Sequence, residues 1–181
     1  MTLAPLYFAF GSNLSAPRLR ARLPAAKPLG RAALPGYRLT FAKPGRDGSG
    51  KGDLRADPRG QVWGRLYRLN PRDLSLLDAV EGPGYQRVAL WVHCHGRRQR
   101  AWLYRAKAPI SQLLPFDWYL HHLRWGAMEA RLPARYQRHL AQQPCCIDPD
   151  PQRAAREWRL YPASSGPSAG PGFDSAIDPL R

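Results

Sequence analysis

Two strand-like runs, YQRVALWVHC (Tyr85–Cys94) and RQRAWLYRA (98–106), face each other across His95-Gly96-Arg97, and this pairing restricts the fold more than any other feature of the chain. Runs rich in β-branched and aromatic residues that meet at a short Gly-containing turn predict an antiparallel hairpin. Three further strand-like stretches precede it: LYFAF (6–10), GYRLTFA around Tyr37 to Ala42, and QVWGRLYRL (61–69). Helical signals fall between and after them. Ser15 is placed to cap a helix with Pro17 in its first turn and Leu19 and Leu23 at i, i+4 spacing. Asn70-Pro71 reads as the N-cap and N1 pair of RDLSLLDAV, which Gly82 would end, and two more helices are predicted near 117–124 and 133–142. The segment AKPGRDGSGKGD (42–53) reads as a Gly-rich, mobile loop. Strands that cluster, rather than alternate strictly with helices, favour an α+β fold over a doubly wound parallel sheet. The expected architecture is a small mixed or antiparallel β-barrel with surrounding helices.

A chain of 181 residues with 44% hydrophobic content suits one domain, expected over 1–161. From Pro162 onward, PASSGPSAGPGFDSAIDPLR has few large apolar residues to offset ordering entropy, so 162–181 is expected to be a disordered tail. No apolar run reaches the roughly 18 residues of a membrane span, and the N-terminus carries no basic, cleavable leader; the expectation is a cytoplasmic protein. Cys94, Cys145 and Cys146 are odd in number and two are adjacent, which argues against a disulfide framework. His93 and His95 share a strand face, but no second ligand pair at metal spacing accompanies them, so no metal site is expected. The formal charge of +15, from 28 basic and 13 acidic residues, raises the possibility of a nucleic-acid partner. The arginines are dispersed, however, and lysine is confined to Lys27, Lys43, Lys51 and Lys107, so no specific nucleic-acid interface is read from them.

Chemistry concentrates at two places. In LYFAFGSNLS a strand leads through Gly11-Ser12-Asn13 towards a helix N-terminus, which aims several backbone amides at one spot and forms an anion cradle. The same tripeptide also suits an ordinary strand-to-helix turn. It has neither dinucleotide nor P-loop spacing, and it is not G-x-S-x-G, so Ser12 is a poor nucleophile candidate. The second place is LLDAVEGPGYQR, where Glu81 falls in the last helical turn, at the negative end of the helix dipole. Asp78, three residues earlier, would add like-charge repulsion to any desolvation and raise the Glu81 pKa towards the range of a proton shuttle. A solvated glutamate near a helix end is the alternative reading of the same residue.

YFAFGSNL, VWGRLYRL, LLDAVEG followed by Tyr85, a hairpin ending in WLY, and Tyr119 seven residues before Gly126-Ala127 together resemble the gamma-glutamylcyclotransferase family, over about Tyr7 to Leu140. The resemblance implies a small β-barrel with surrounding helices. It implies Glu81 as the catalytic acid/base, Phe10, Gly11, Ser12, Asn13 and Leu14 as the substrate loop, and Tyr85, Tyr104 and Tyr119 as tyrosines lining the pocket. Phe10 departs from the family pattern, which usually has tyrosine there. The implied substrate is a small γ-glutamyl compound whose α-amine attacks its own γ-carbonyl to release 5-oxoproline, with no metal, cofactor or external nucleophile. A catalytically silent binding module of the same fold and an arginine-rich nucleic-acid-associated protein are the alternatives. Retention of a carboxylate at an unfavourable helix end argues against the first of these.

Overall fold

The computed structural model describes residues 4–111 and 113–162. All but the first residue of the expected tail lie outside the described residues. In chain order the elements are β1 (Leu6–Ala9), a single 3₁₀ turn (Ser12–Leu14), α1 (Ala16–Arg22), β2 (Lys27–Pro44), β3 (Gly50–Arg68), α2 (Asp73–Glu81), β4 (Tyr85–Cys94), β5 (Arg97–Ala106), α3 (Asp117–Glu129), α4 (Ala134–Ala141) and α5 (Pro151–Trp158). The strands close into a barrel in the order β1-β3-β2-β4-β5. Neighbours are antiparallel except where β1 meets β5, a parallel contact at Tyr7↔Trp102 that completes the closure. The fold is therefore the α+β barrel expected from the clustering of strands.

Beta1 shows why an apolar run belongs there. Successive side chains of a strand point to opposite faces: Phe8 enters the barrel core with Leu34, Phe41, Leu54 and Leu66, while Tyr7 and Ala9 join a second cluster with Leu19, Leu23, Tyr67 and Leu77. Both faces are covered, one by the barrel interior and the other by residues of α1 and α2.

The sequence reading of the long hairpin was too short. Beta2 and β3 pair from Lys27↔Arg68 to Pro44↔Gly50, with irregularities near Pro28/Gly30, Pro35/Tyr37 and Thr40/Lys43 that let such long strands bend around the barrel. Most of the segment expected to be a mobile loop is thus strand, and only 45–49 form the tip. The Asp47 carboxylate fixes that tip, accepting from the Ser49 amide at 3.1 Å, the Ser49 hydroxyl at 2.9 Å and Lys51 Nζ at 2.8 Å. The start of α2 also differs from expectation. Asn70 is not its cap; Arg72 occupies that position, and Asp73 Oδ2 instead accepts the Asn70 amide at 2.9 Å. Ser15 does cap α1, accepting the Arg18 amide at 3.4 Å.

Two contacts hold the turn after β1. A Cβ on Gly126 of α3 would lie 2.4 Å from the carbonyl carbon of Leu14, so only glycine lets the helix backbone approach this closely. From the other side, the Tyr161 hydroxyl donates to Ser15 Oγ at 2.8 Å and bonds the buried His122 Nδ1, while His122 Nε2 lies 3.2 Å from Glu157, which pairs with Arg18. Alpha5, which the sequence reading did not anticipate, supplies Glu157. Among the described residues all three cysteines are free, no group of three or more His, Cys, Asp or Glu side chains is placed to hold a metal, and no helix is long and apolar enough to cross a membrane.

Candidate active site

The 3₁₀ turn, the end of α2, the start of β3 and the start of α3 converge on a recess of about 30 Å³ that opens into a cleft of about 730 Å³. Ser12, Glu81, Tyr85 and Tyr119 line both. The recess is otherwise formed by Tyr7, Phe10, Gly11, Asn13, Gly52 and Tyr104. Eight of the nine residues expected from the sequence therefore meet at one place. Leu14 does not: its side chain is fully buried in the barrel core, and its amide donates back to Gly11 O at 2.9 Å.

Glu81 is the last residue of α2, and Gly82, at φ 74°, turns the chain away behind it. Its carboxylate is 17% exposed. Oε1 accepts from Asn13 Nδ2 at 2.9 Å and lies 3.9 Å from Arg22, whose guanidinium donates to Asn13 Oδ1 at 2.7 Å. Burial pushes the Glu81 pKa up, and Arg22, Arg18, the Asn13 bond and Lys43 hold it back. The sequence reading assigned part of this rise to Asp78, and that is corrected here. Asp78 turns outward, accepting the Tyr104 hydroxyl at 2.8 Å and pairing with Arg87 at 3.1 Å, so its charge is neutralised away from Glu81.

The tyrosines divide by role. Tyr119 and Tyr85 hold Gly52 through its two flanking peptide units: the Gly52 amide donates to Tyr119 Oη at 2.8 Å, and Tyr85 Oη donates to Gly52 O at 2.7 Å. Gly11 and Gly52 are small because Tyr119 Oη would sit 3.3 Å and 3.2 Å from a Cβ on either. Tyr104 turns its hydroxyl to Asp78 and presents only its ring to the recess. Burial raises the pKa of Tyr7 and Tyr85 well above the ordinary value and pushes Tyr119 up to about 12, so all three keep their protons near neutral pH. Among the described residues, Glu81 is the only carboxyl group lining the recess. Phe10 contributes an apolar wall and stacks on Phe8 at 6.2 Å.

Sequence reasoning passed over Tyr7 and Arg22, and read Lys43 and Gly52 only as parts of the Gly-rich loop. Tyr7 Oη accepts from Asn13 Nδ2 at 2.9 Å, so one amide group bridges a tyrosine and the glutamate. The available signal was a lone hydroxyl in an apolar strand just before Gly-Ser-Asn. Arg22 and Gly52 reach the site only through the fold. In the 3₁₀ turn the amides of Leu14 and Ser15 are taken by Gly11 O and Ser12 O, whereas those of Ser12 and Asn13 open the turn and have no partner within it. The predicted cradle thus narrows to two amides.

Comparison with known proteins identifies the family. The AIG2-like family matches residues 61–140, which include β4, β5 and Glu81. A mouse protein named gamma-glutamylcyclotransferase is 30% identical over 149 residues, covering 75% of this chain and 76% of its own length. Its bovine counterpart of the same name is 29% identical over 143 residues, with the same coverage of both chains. A solved structure described as a gamma-glutamyl cyclotransferase has the same fold, with a TM-score of 0.75 over 84% of this chain and 99% of that one, at 24% identity. The chain belongs to the gamma-glutamylcyclotransferase family of enzymes.

Proposed function

We propose that the protein releases 5-oxoproline from small γ-glutamyl compounds, expelling an amine or amino acid, with Glu81 carrying the proton. The observation that supports this most is a largely shielded carboxyl group, raised in pKa by burial, at the boundary between a tight recess and a wide cleft. The glutamyl end lies at the mouth of the recess beside Glu81, with no more than a small polar group entering it, and the leaving portion lies in the cleft.

The ring-forming step joins two atoms of one molecule, so the protein need only fold the substrate; well-oriented intramolecular reactions reach effective molarities of about 10⁵ M or more. What remains is proton movement. An α-amine with a pKa of about 8 is largely protonated at neutral pH, and an amide nitrogen does not leave as an anion. The Glu81 carboxylate takes one proton from the ammonium group, and the freed lone pair attacks the γ-carbonyl carbon, putting negative charge on the carbonyl oxygen and positive charge on the ring nitrogen. As that oxygen re-forms its double bond, the bond to the leaving nitrogen breaks and Glu81 delivers its proton there; the regenerated carboxylate takes the second proton from the ring nitrogen, leaving the neutral lactam of 5-oxoproline, and passes it to the released amine. The Ser12 and Asn13 amides face the developing oxyanion or the α-carboxylate, and neutral tyrosine hydroxyls add donors around them.

A screen of γ-glutamyl compounds for 5-oxoproline release, run on the natural protein and on Glu81→Gln, tests the reading. Loss of a general acid/base of this kind lowers kcat by about 10²–10⁴-fold, while the glutamine side-chain oxygen still accepts from Asn13 and leaves the melting temperature close to that of the natural protein. Activity that survives the substitution refutes the role of Glu81. A natural protein that binds such compounds without releasing 5-oxoproline is a binding module instead.

A further inference from the structure

Lysine is rare in this chain, with four residues among 28 basic ones, yet three of the four, Lys43, Lys51 and Lys107, line the wide cleft beyond Glu81. Their surroundings differ. Lys51 is satisfied, bonded to Asp47 at 2.8 Å and set over the rings of Trp118 at 4.6 Å and Tyr119 at 4.8 Å. Lys43 has the Tyr85 ring 4.9 Å away and feels the Glu81 and Asp47 charges at longer range, and among the described residues neither it nor Arg46 nor Lys107 lies within ion-pair distance of a carboxylate.

These three unpaired cations surround the turn that follows Glu81. A Cβ on Gly82 would lie 3.9 Å from Arg46 Nη2, and one on Gly84 would lie 3.0 Å from Lys43 Cε. The Lys107 amide donates to Gly84 O at 3.0 Å. Burial pushes the Lys43 pKa down and the neighbouring Arg46 charge adds to the fall, while Glu81 and Asp47 hold it back.

We infer that this rim is an anion subsite for the leaving portion of the substrate, selecting γ-glutamyl compounds whose leaving group carries two or more carboxylates. The inference rests on the proposed reaction and names its substrate class. A leaving amino acid with one carboxylate occupies one of three cations, and a cationic leaving amine is repelled by all of them. Two or more carboxylates match the excess. Lysine suits the task because its ammonium group is a point charge on a flexible stem that does not demand the fixed two-pronged geometry of arginine. The cleft, at about 730 Å³, has room for a leaving portion of this size.

The test compares γ-glutamyl-glutamate with γ-glutamyl-glutamine, which have nearly the same shape and differ by one charge. A second arm measures calorimetric binding of N-glutaryl-glutamate and N-glutaryl-glutamine, which lack the α-amine and cannot cyclise. A partly exposed ion pair contributes up to about fivefold, so the diacid, with one more carboxylate, is expected to be favoured by up to about fivefold in kcat/KM and in affinity. That ratio is expected to fall towards one in the double variant Arg46→Gln/Lys107→Gln and in about 0.5 M salt, where screening is strong. Equal affinities for the two glutaryl compounds overturn the anion subsite. A retained binding preference without 5-oxoproline release from either dipeptide overturns the proposed reaction while supporting the subsite.

Discussion

Replacing Arg22 with methionine isolates the electrostatic control of Glu81. The guanidinium lies 3.9 Å from Glu81 Oε1, and the two side chains are 23% and 17% exposed. At that separation two unit charges interact by about 4 kcal/mol at an effective dielectric constant of 20 and by about 1 kcal/mol in bulk water. Partial exposure places the pair between these limits, at about 2 kcal/mol, or about 1.5 pKa units at 1.4 kcal/mol per unit. The sign follows from the charge: a neighbouring cation favours the carboxylate, so removing it raises the Glu81 pKa beyond the rise that burial already causes. The acid limb of the kcat/KM profile for 5-oxoproline release, which reports the free enzyme's base, is therefore expected to move up by about one to two pH units. Arg22→Lys is the control, because it keeps the charge but not the guanidinium bond to Asn13 Oδ1, and its acid limb stays close to that of the natural protein. An acid limb in Arg22→Met that stays put or moves down refutes both the assignment of the limb to Glu81 and the electrostatic argument.

Two further perturbations test the scaffold. Gly126→Ala places a methyl group 2.4 Å from Leu14 C and 2.5 Å from Ser15 N, both backbone atoms, so α3 must shift; a stability loss of about 1–3 kcal/mol or more is expected, with a higher KM as the 3₁₀ turn moves, and an unchanged denaturant midpoint would contradict it. His122 is fully buried with its pKa pushed down to about 4 by burial, so the folded state binds its proton less readily than the unfolded chain does. Stability from the neutral ring is full above pH 6.5 and is lost as pH falls towards 4, by at most about 3 kcal/mol. Urea unfolding between pH 7 and pH 4 is expected to show a steeper loss for the natural protein than for His122→Gln, and parallel curves would rule the mechanism out.

The barrel was legible in the sequence because its strands announce themselves by composition: β1, β4 and β5 occur almost where the apolar and aromatic runs place them. The failures were local and share a cause. The segment 42–53 is dense in glycine, which propensity reads as loop, yet pairing with β2 and the Asp47 bonds at the tip hold it in strand. Asn70-Pro71 has the composition of a helix start, but the Asp73 side chain already satisfies the Asn70 amide, and the helix begins later. At the site, Glu81 and the Gly-Ser-Asn turn were readable because each breaks or marks a local rule. The cause of the Glu81 pKa rise was not. Spacing along a helix placed Asp78 near Glu81, whereas the tertiary structure turns Asp78 to Arg87 and brings Arg22 and Asn13, 59 and 68 positions away, against the carboxylate.

The doubly held Gly52 unit has a consequence for ligand binding. With the Gly52 amide on Tyr119 and the Gly52 carbonyl on Tyr85, each of the two peptide planes that meet at this residue is anchored against crankshaft rotation before any ligand arrives. Their dipoles therefore point the same way in the empty and the occupied protein. The local field felt by a bound molecule is then a permanent property of the wall, set during folding, and little reorientation energy is left to be supplied when a transition state forms.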